Sequence, residues 1–147
     1  MSMEAITPNE AVALVNALNQ ASNGDDVERA LAFFAADAVV TTPPTPSGQT
    51  IWTGTQQVRA LLQWQVDEHF HAAARNIHVT GNTVTWDSTV ALDIFRRMGL
   101  DGVELAVEAV VQDGKITSFT ATLSPESQRK VEAAMMQAGA PQPEAVA

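Results

Sequence analysis

The sequence predicts an α+β fold, with a curved antiparallel sheet that carries helices on one face. Two observations predict the sheet. The breaks Gly81-Asn82 and Asp113-Gly114 separate runs rich in Thr, Val, Trp and Ile. Such two-residue breaks are the strongest short-range hairpin signal. A third observation predicts the cover: residues 8–70 carry apolar residues at spacings of three and four, the period of a helix with one buried stripe. A sheet with one apolar face has to bury it against another layer.

Thr7-Pro8-Asn9-Glu10 is a helix start, with Thr7 as N-cap, Pro8 in the first turn and Glu10 placed to bond back. The helix should run over about 8–21, burying Val12, Val15 and Leu18. Ser22-Asn23-Gly24 ends it, and Asp25-Asp26 opens a second helix over 27–34. Residues 37–42 read as a short strand. Pro43-Pro44-Thr45-Pro46-Ser47-Gly48 follows as a stiff, irregular loop, because proline withholds a ladder donor. A third helix is expected over 55–70, with Val58, Leu61, Leu62, Val66 and Trp64 on its buried side. The long strands begin at Asn76. Ser124-Pro125 starts a last helix, over 128–137, and Gly139 stops it. One domain over 1–139 is expected, with a disordered tail at 140–147.

Composition removes several function classes. The formal net charge is -9, from 17 acidic and 8 basic residues. No Lys/Arg cluster stands ready for a phosphate backbone or an anionic membrane, so neither partner is expected. Cysteine and tyrosine are absent, which excludes disulfides, thiolate chemistry and any phenol-based step. The start Met1-Ser2-Met3-Glu4 lacks a basic segment and an apolar segment, and the expectation is a cytoplasmic protein.

Alternation assigns the strand faces. Val84, Trp86, Ser88 and Val90 share one face with Leu105, Val107, Ala109, Phe119, Ala121 and Leu123. This set is expected to form the wall of an apolar pocket, joined by Trp52 after the proline-rich loop and by Trp64. Glu108, Asp87 and Asp93 fall on the opposite, Thr-rich face, unless a bulge turns one inward. That face carries little charge for a free surface and is expected to meet a second subunit. His69 and His71, two apart, cannot share a helix face. His78 lies on a strand. The candidates for acid–base work are therefore Glu108, His78 and Asp87. A carboxylate desolvated in an apolar cavity has a raised pKa, and histidine titrates near neutrality. No metal-ligand spacing is present, and neither a metal nor a cofactor is expected.

Residues 25–39 (DDVERALAFFAADAV), then Trp52-Thr53-Gly54, then Asp113-Gly114-Lys115-Ile116 resemble the NTF2-like superfamily in this order, particularly its SnoaL-like branch. That branch includes polyketide cyclases, ketosteroid isomerases and limonene-epoxide hydrolases. The resemblance implies a cone-shaped fold with a pocket for a small, largely apolar molecule, often in a homodimer. Catalytic residues carry over poorly. Where the isomerases place a basic aspartate, this chain has Thr41-Thr42-Pro43-Pro44, and their oxyanion-hole tyrosine has no counterpart. Their second aspartate falls near Glu108. The Asp-Arg-Asp set of the epoxide hydrolases falls around Ser88, Val90 and Ala121. Two functions stay open: a cofactor-independent isomerase, cyclase, dehydratase or epoxide hydrolase, or a non-catalytic module that binds a small molecule or a protein partner.

Overall fold

A computed structural model describes residues 5–139, with side chains through 136. The expected tail at 140–147 lies outside the described residues. The elements are α1 (Pro8–Asn23), α2 (Val27–Leu31), β1 (Phe34–Thr41), β2 (Ile51–Thr53), α3 (Gly54–Asp67), β3 (His71–Thr80), β4 (Thr83–Ala91), α4 (Asp93–Arg97), β5 (Val103–Gln112), β6 (Lys115–Leu123) and α5 (Pro125–Gly139). The six strands form one sheet in the order β2-β1-β6-β5-β4-β3. All neighbours are antiparallel except β1 and β6. About half of the chain, residues 42–114, lies between that parallel pair, enough to carry the return crossover.

The start of α1 is built as its sequence demands. Thr7 Oγ1 accepts from the Glu10 N–H at 3.1 Å, and Glu10 Oε1 accepts from the Thr7 N–H at 2.9 Å. This capping box satisfies two donors that the first turn leaves orphaned. The buried stripe of α1 is Ala11, Val15, Leu18 and Ala21, while Val12, expected inside, is 41% exposed. Small alanines let the helix lie close to the sheet, so the stripe turns toward them. α2 stops at Leu31, three residues short of expectation, because Phe34 is needed as the first residue of β1, where it pairs with Ile116. The α2 N-cap is Asp26, whose Oδ1 accepts from the Arg29 N–H at 3.1 Å.

The proline-rich loop is more ordered than expected. The Thr42 N–H donates to Thr50 O at 2.9 Å, and the Thr45 N–H to Gln49 O at 3.2 Å. The β1–β2 hairpin thus continues using only the non-proline donors. β3 starts at His71 rather than Asn76 and takes in three alanines of low strand propensity. The long pairing partner β4 overrides that propensity. A bulge sits between Arg75 and His78, with Asn76 at φ 58°. It resets the alternation: Ala72 and Ala74 face the helices before it, and Ile77 and Val79 after it.

The strand that follows Asn82 stops at Ala91. Residues 93–97 form the short helix α4, so Asp93 is a helix residue and not a strand acid. Between β5 and β6, Asp113 and Gly114 sit at φ 52° and 77°, the positive pair a tight hairpin needs.

Buried side chains form two apolar clusters on the helix-covered face. The larger joins α1, α2 and α3 to the middle of the sheet through Val15, Val58, Val84, Trp86, Ala109 and Ile116. The smaller gathers Ala72, Val90, Leu92, Val103, Leu105 and Val131 at one end. Phe119 couples the larger cluster across strands. Its ring centroid lies 6.0 Å from that of Phe34 and 5.8 Å from that of Trp86, the latter edge-on at 68°.

Candidate functional site

The residues expected to line an apolar pocket do lie on the helix-covered face. Trp52, Trp86, Ser88 and Val107 are buried, and Trp64, Phe119 and Ala121 are half-buried. Trp52 is a core residue that satisfies its indole by donating from Nε1 to Thr42 Oγ1 at 3.2 Å. Trp64 and Ala121 touch both clusters. Ser88 stands in β4 between Trp86 of the larger cluster and Val90 of the smaller. These three mark a seam where the two clusters meet. Its chemistry is narrow. Among the described residues, the buried polar ones are Ser88 and Ser127, and no Asp, Glu, His, Lys or Arg is buried. Ser127 is engaged elsewhere, accepting from the Glu104 N–H at 2.8 Å. Ser88 is thus the one buried hydroxyl on the inner side of the sheet.

The titratable candidates stand on the other side. His78, Asp87 and Glu108 line an outer trough of about 410 Å³ with Asn76, Thr85, Ala106, Thr120 and Thr122, and Trp86 and Val107 of the inner face also border it. The register explains the grouping. His78 pairs with Thr85, Thr85 with Glu108, Glu108 with Thr120, and Thr120 with Thr41, a single row across five strands. The next row runs Arg75, Asp87, Ala106 and Thr122. Ala106, small and central, leaves the hollow. The inward turn considered for Glu108 does not occur. The irregularity of β5 lies between Val110 and Val111, beyond Glu108, and alternation holds through it.

Asn76, which carries no signal in the sequence, fixes Asp87. Its Nδ2 donates to Asp87 Oδ2 at 2.9 Å from the bulge. Arg75 pairs in register with Asp87 but is drawn along the sheet instead. It donates from Nη1 to Thr89 Oγ1 at 2.7 Å and forms an ion pair with Glu104. Thr89 Oγ1 donates in turn to Glu104 Oε2 at 2.8 Å. The Arg75 guanidinium and the Thr89 hydroxyl hold the Glu104 carboxyl below the usual carboxylate range.

His69 and His71 do not join the trough. His71 is exposed at the start of β3. His69, at φ 56° after α3, has Nδ1 2.5 Å from Asp93 Oδ2. The adjoining Glu68 binds the same segment, and the sequence offered no signal for that role. Among the described residues, no group of three or more His, Asp or Glu side chains is arranged to hold a metal ion. No described helix is long and apolar enough to cross a membrane.

A profile of the SnoaL-like domain family matches residues 15–119. The chain belongs to that family. Solved structures agree on the fold. A protein of ketosteroid isomerase-like fold from Catenulispora acidiphila, in complex with trimethylamine, superposes with a TM-score of 0.64 at 21% identity, covering 83% of this chain and 90% of that one. An NTF2-like protein of unknown function from Mesorhizobium loti gives 0.65 at 15% identity, covering 83% and 97%. A de novo designed protein with a curved β-sheet gives 0.64 at 17% identity, covering 90% and 99%. At these identities the likeness concerns the fold alone. No curated protein matches the sequence. This SnoaL-like chain therefore has the NTF2-like architecture that its motifs implied, and its activity has to be argued from its own side chains.

Proposed function

We propose that this SnoaL-like domain is a non-catalytic module that holds a small, largely apolar molecule at the seam between its two clusters. The observation that carries this reading is the absence of any buried ionisable residue among those described. Acid–base chemistry on an apolar substrate needs a carboxylate or imidazole inside the cavity, where desolvation tunes it. Here Glu108, His78 and Asp87 all stand on the outer face. Isomerase, cyclase, dehydratase and epoxide hydrolase chemistry are therefore the less favoured readings. The seam instead offers Trp64 and Ala121 as apolar contacts and Ser88 as a single polar handle, the usual make-up of a site that orients a ligand. The test is titration with the neutral fluorophore N-phenyl-1-naphthylamine, read by its emission and by tryptophan quenching. Saturable one-to-one binding that Ala121→Trp abolishes is expected. Non-saturable binding, or binding indifferent to Ala121→Trp, overturns the reading.

A second copy of the chain is the proposed partner of the outer face. Val39 and Ile51 are exposed there at 38% and 55%. The row of Thr85, Thr120 and Thr41 is uncharged apart from His78 and Glu108. A face of this kind suits an isologous contact between two sheets. Sedimentation velocity should give a dimer for the unmodified chain and a monomer for Val39→Lys; a monomer in both overturns the pairing.

A further inference from the structure

The segment from Asp93 to Gly102 crosses the smaller apolar cluster, and its attachment is unlike the rest of the core. α4 contains no buried residue. Ile94, Phe95, Met98 and Leu100 pack on the cluster but stay half-buried. The bonds that tie α4 down converge on two consecutive residues at the α3–β3 corner. The Asp93 N–H donates to Glu68 O at 2.8 Å, and the Ile94 N–H to Glu68 Oε1 at 2.7 Å. Arg97 Nη2 lies 3.4 Å from both Glu68 oxygens. His69 Nδ1 meets Asp93 Oδ2 at 2.5 Å. Left-handed backbone at His69 places its ring toward Asp93. The far end of the segment has Gly99 at φ 82°, a position that side-chain-bearing residues rarely adopt.

We infer that residues 93–102 form a hinged cover over the smaller cluster, latched by Glu68 and His69, and that its opening admits the apolar ligand to the seam. The ligand half of this inference rests on the function proposed above; the cover does not. The seam residues Trp64 and Ala121 pack against the same cluster as Phe95 and Met98, so lifting the segment opens the cluster on which they rest. The attachment is polar, with His69 and Arg97 exposed and Glu68 half-buried, while the covered surface is apolar. Segments with few buried contacts and exposed hydrogen bonds open at low cost.

The latch also senses protons. Asp93 hydrogen-bonds and attracts His69, raising its pKa; Asp25, from the α1–α2 turn, adds to the rise, and Arg96 opposes it. His69 in turn holds Asp93 below its ordinary range, helped by Arg96. Glu68 and Arg97 are the other charged groups at this corner. The charged pair therefore exists between the lowered Asp93 pKa and the raised His69 pKa. It weakens as pH rises through the latter, when the imidazole loses its charge but keeps one N–H.

Amide hydrogen exchange across 93–102 tests the cover, with rates corrected for intrinsic pH dependence. His69→Asn is the informative variant, because asparagine tolerates left-handed backbone and its shorter side chain gives up the contact with Asp93. Below the His69 midpoint it should raise exchange at 93–100 by about two- to fivefold, the scale of an exposed ion pair, with β5 unchanged. It should also remove the pH dependence seen in the unmodified chain. Asp93→Asn should act alike. Unchanged exchange, or a rise spread over the whole chain, overturns the cover. The association rate of N-phenyl-1-naphthylamine should rise by the same factor. An unaltered rate with faster exchange overturns the entry route. Failure of the fluorophore to bind any variant at any pH counts against the proposed function alone, since the exchange result stands without it.

Discussion

Asn23, the last residue of α1, hydrogen-bonds both backbone groups of Ala72 in β3. Its Nδ2 donates to Ala72 O at 2.9 Å, and its Oδ1 accepts from the Ala72 N–H at 2.8 Å. β3 is an edge strand, so at this point the asparagine stands in for a missing neighbour strand. Ala72 itself is 4% exposed. Asn23→Ala leaves a buried N–H and C=O without partners, which costs about 1–3 kcal/mol. Denaturant unfolding should register that loss, with a fall in Tm of about 2–4 °C for each kcal/mol in a chain of this size. Asn23→Asp keeps the acceptor but sets a carboxylate against the Ala72 carbonyl, so it should rescue little. Full stability in Asn23→Ala counts against this role.

Phe119 is the contact between β1 and the middle of the sheet, with Phe34 on one side and the edge of Trp86 on the other. Phe119→Ala should destabilise by about 3–5 kcal/mol, the cost of truncating a core aromatic and leaving a cavity. Half-burial places the loss at the lower end. Trp86 emission should shift to the red as the void admits water. Phe119→Leu, which retains most of the volume, should lose less than half as much. Equal losses in the two variants point to a cause other than the cavity.

Glu104 makes part of the stability of the folded chain depend on acid. Arg75 and Thr89 lower its folded pKa below the unfolded value. Its contribution is therefore present in full above the unfolded pKa and lost as pH falls through the folded one. Unfolding followed from neutrality downward should show a decline beginning near the ordinary carboxylate range. Glu104→Gln should flatten part of that decline while changing stability little at neutral pH, because the ion pair is solvent-exposed and such pairs contribute modestly. An identical acid profile in the variant counts against the assignment.

The sheet was legible because its signals are local. Asp113-Gly114 and the alternation from Val103 to Val111 need no knowledge of the rest of the chain. What failed to show was set by distant partners. β3 begins at His71 because β4 offers Ala91 and Val90 to pair with, although alanine has no preference for strands. Strand β4 ends at Ala91 because Glu68 and His69 capture the residues that follow Leu92. The grouping of His78, Asp87 and Glu108 follows from register, and Glu108 keeps the outer face that alternation assigns it, with no bulge turning it inward. The bulge that matters lies in β3, at a residue whose sequence neighbours give no sign of it.

That bulge residue, Asn76, separates two contributions cleanly. Its backbone sits at φ 58°, and its side chain bonds Asp87. A β-branched residue in the left-handed region is strained, at about 1–2 kcal/mol for any L-residue and more with branching. Asn76→Val should therefore lose at least that much in denaturant unfolding. Asn76→Gly removes the bond to Asp87 and adds unfolded-state entropy, both of which cost stability, but it accepts the left-handed backbone freely, so the net loss should be only a few tenths of a kcal/mol. The order of stability expected is asparagine, glycine, then valine. The trough should report the difference as well. In Asn76→Gly the fold is intact while Asp87 loses its side-chain partner, so the Asp87 side-chain resonances followed by NMR should move relative to the unmodified chain. If valine matches asparagine in stability, the bulge does not need left-handed backbone, and the change of face between Ala74 and Ile77 has another origin.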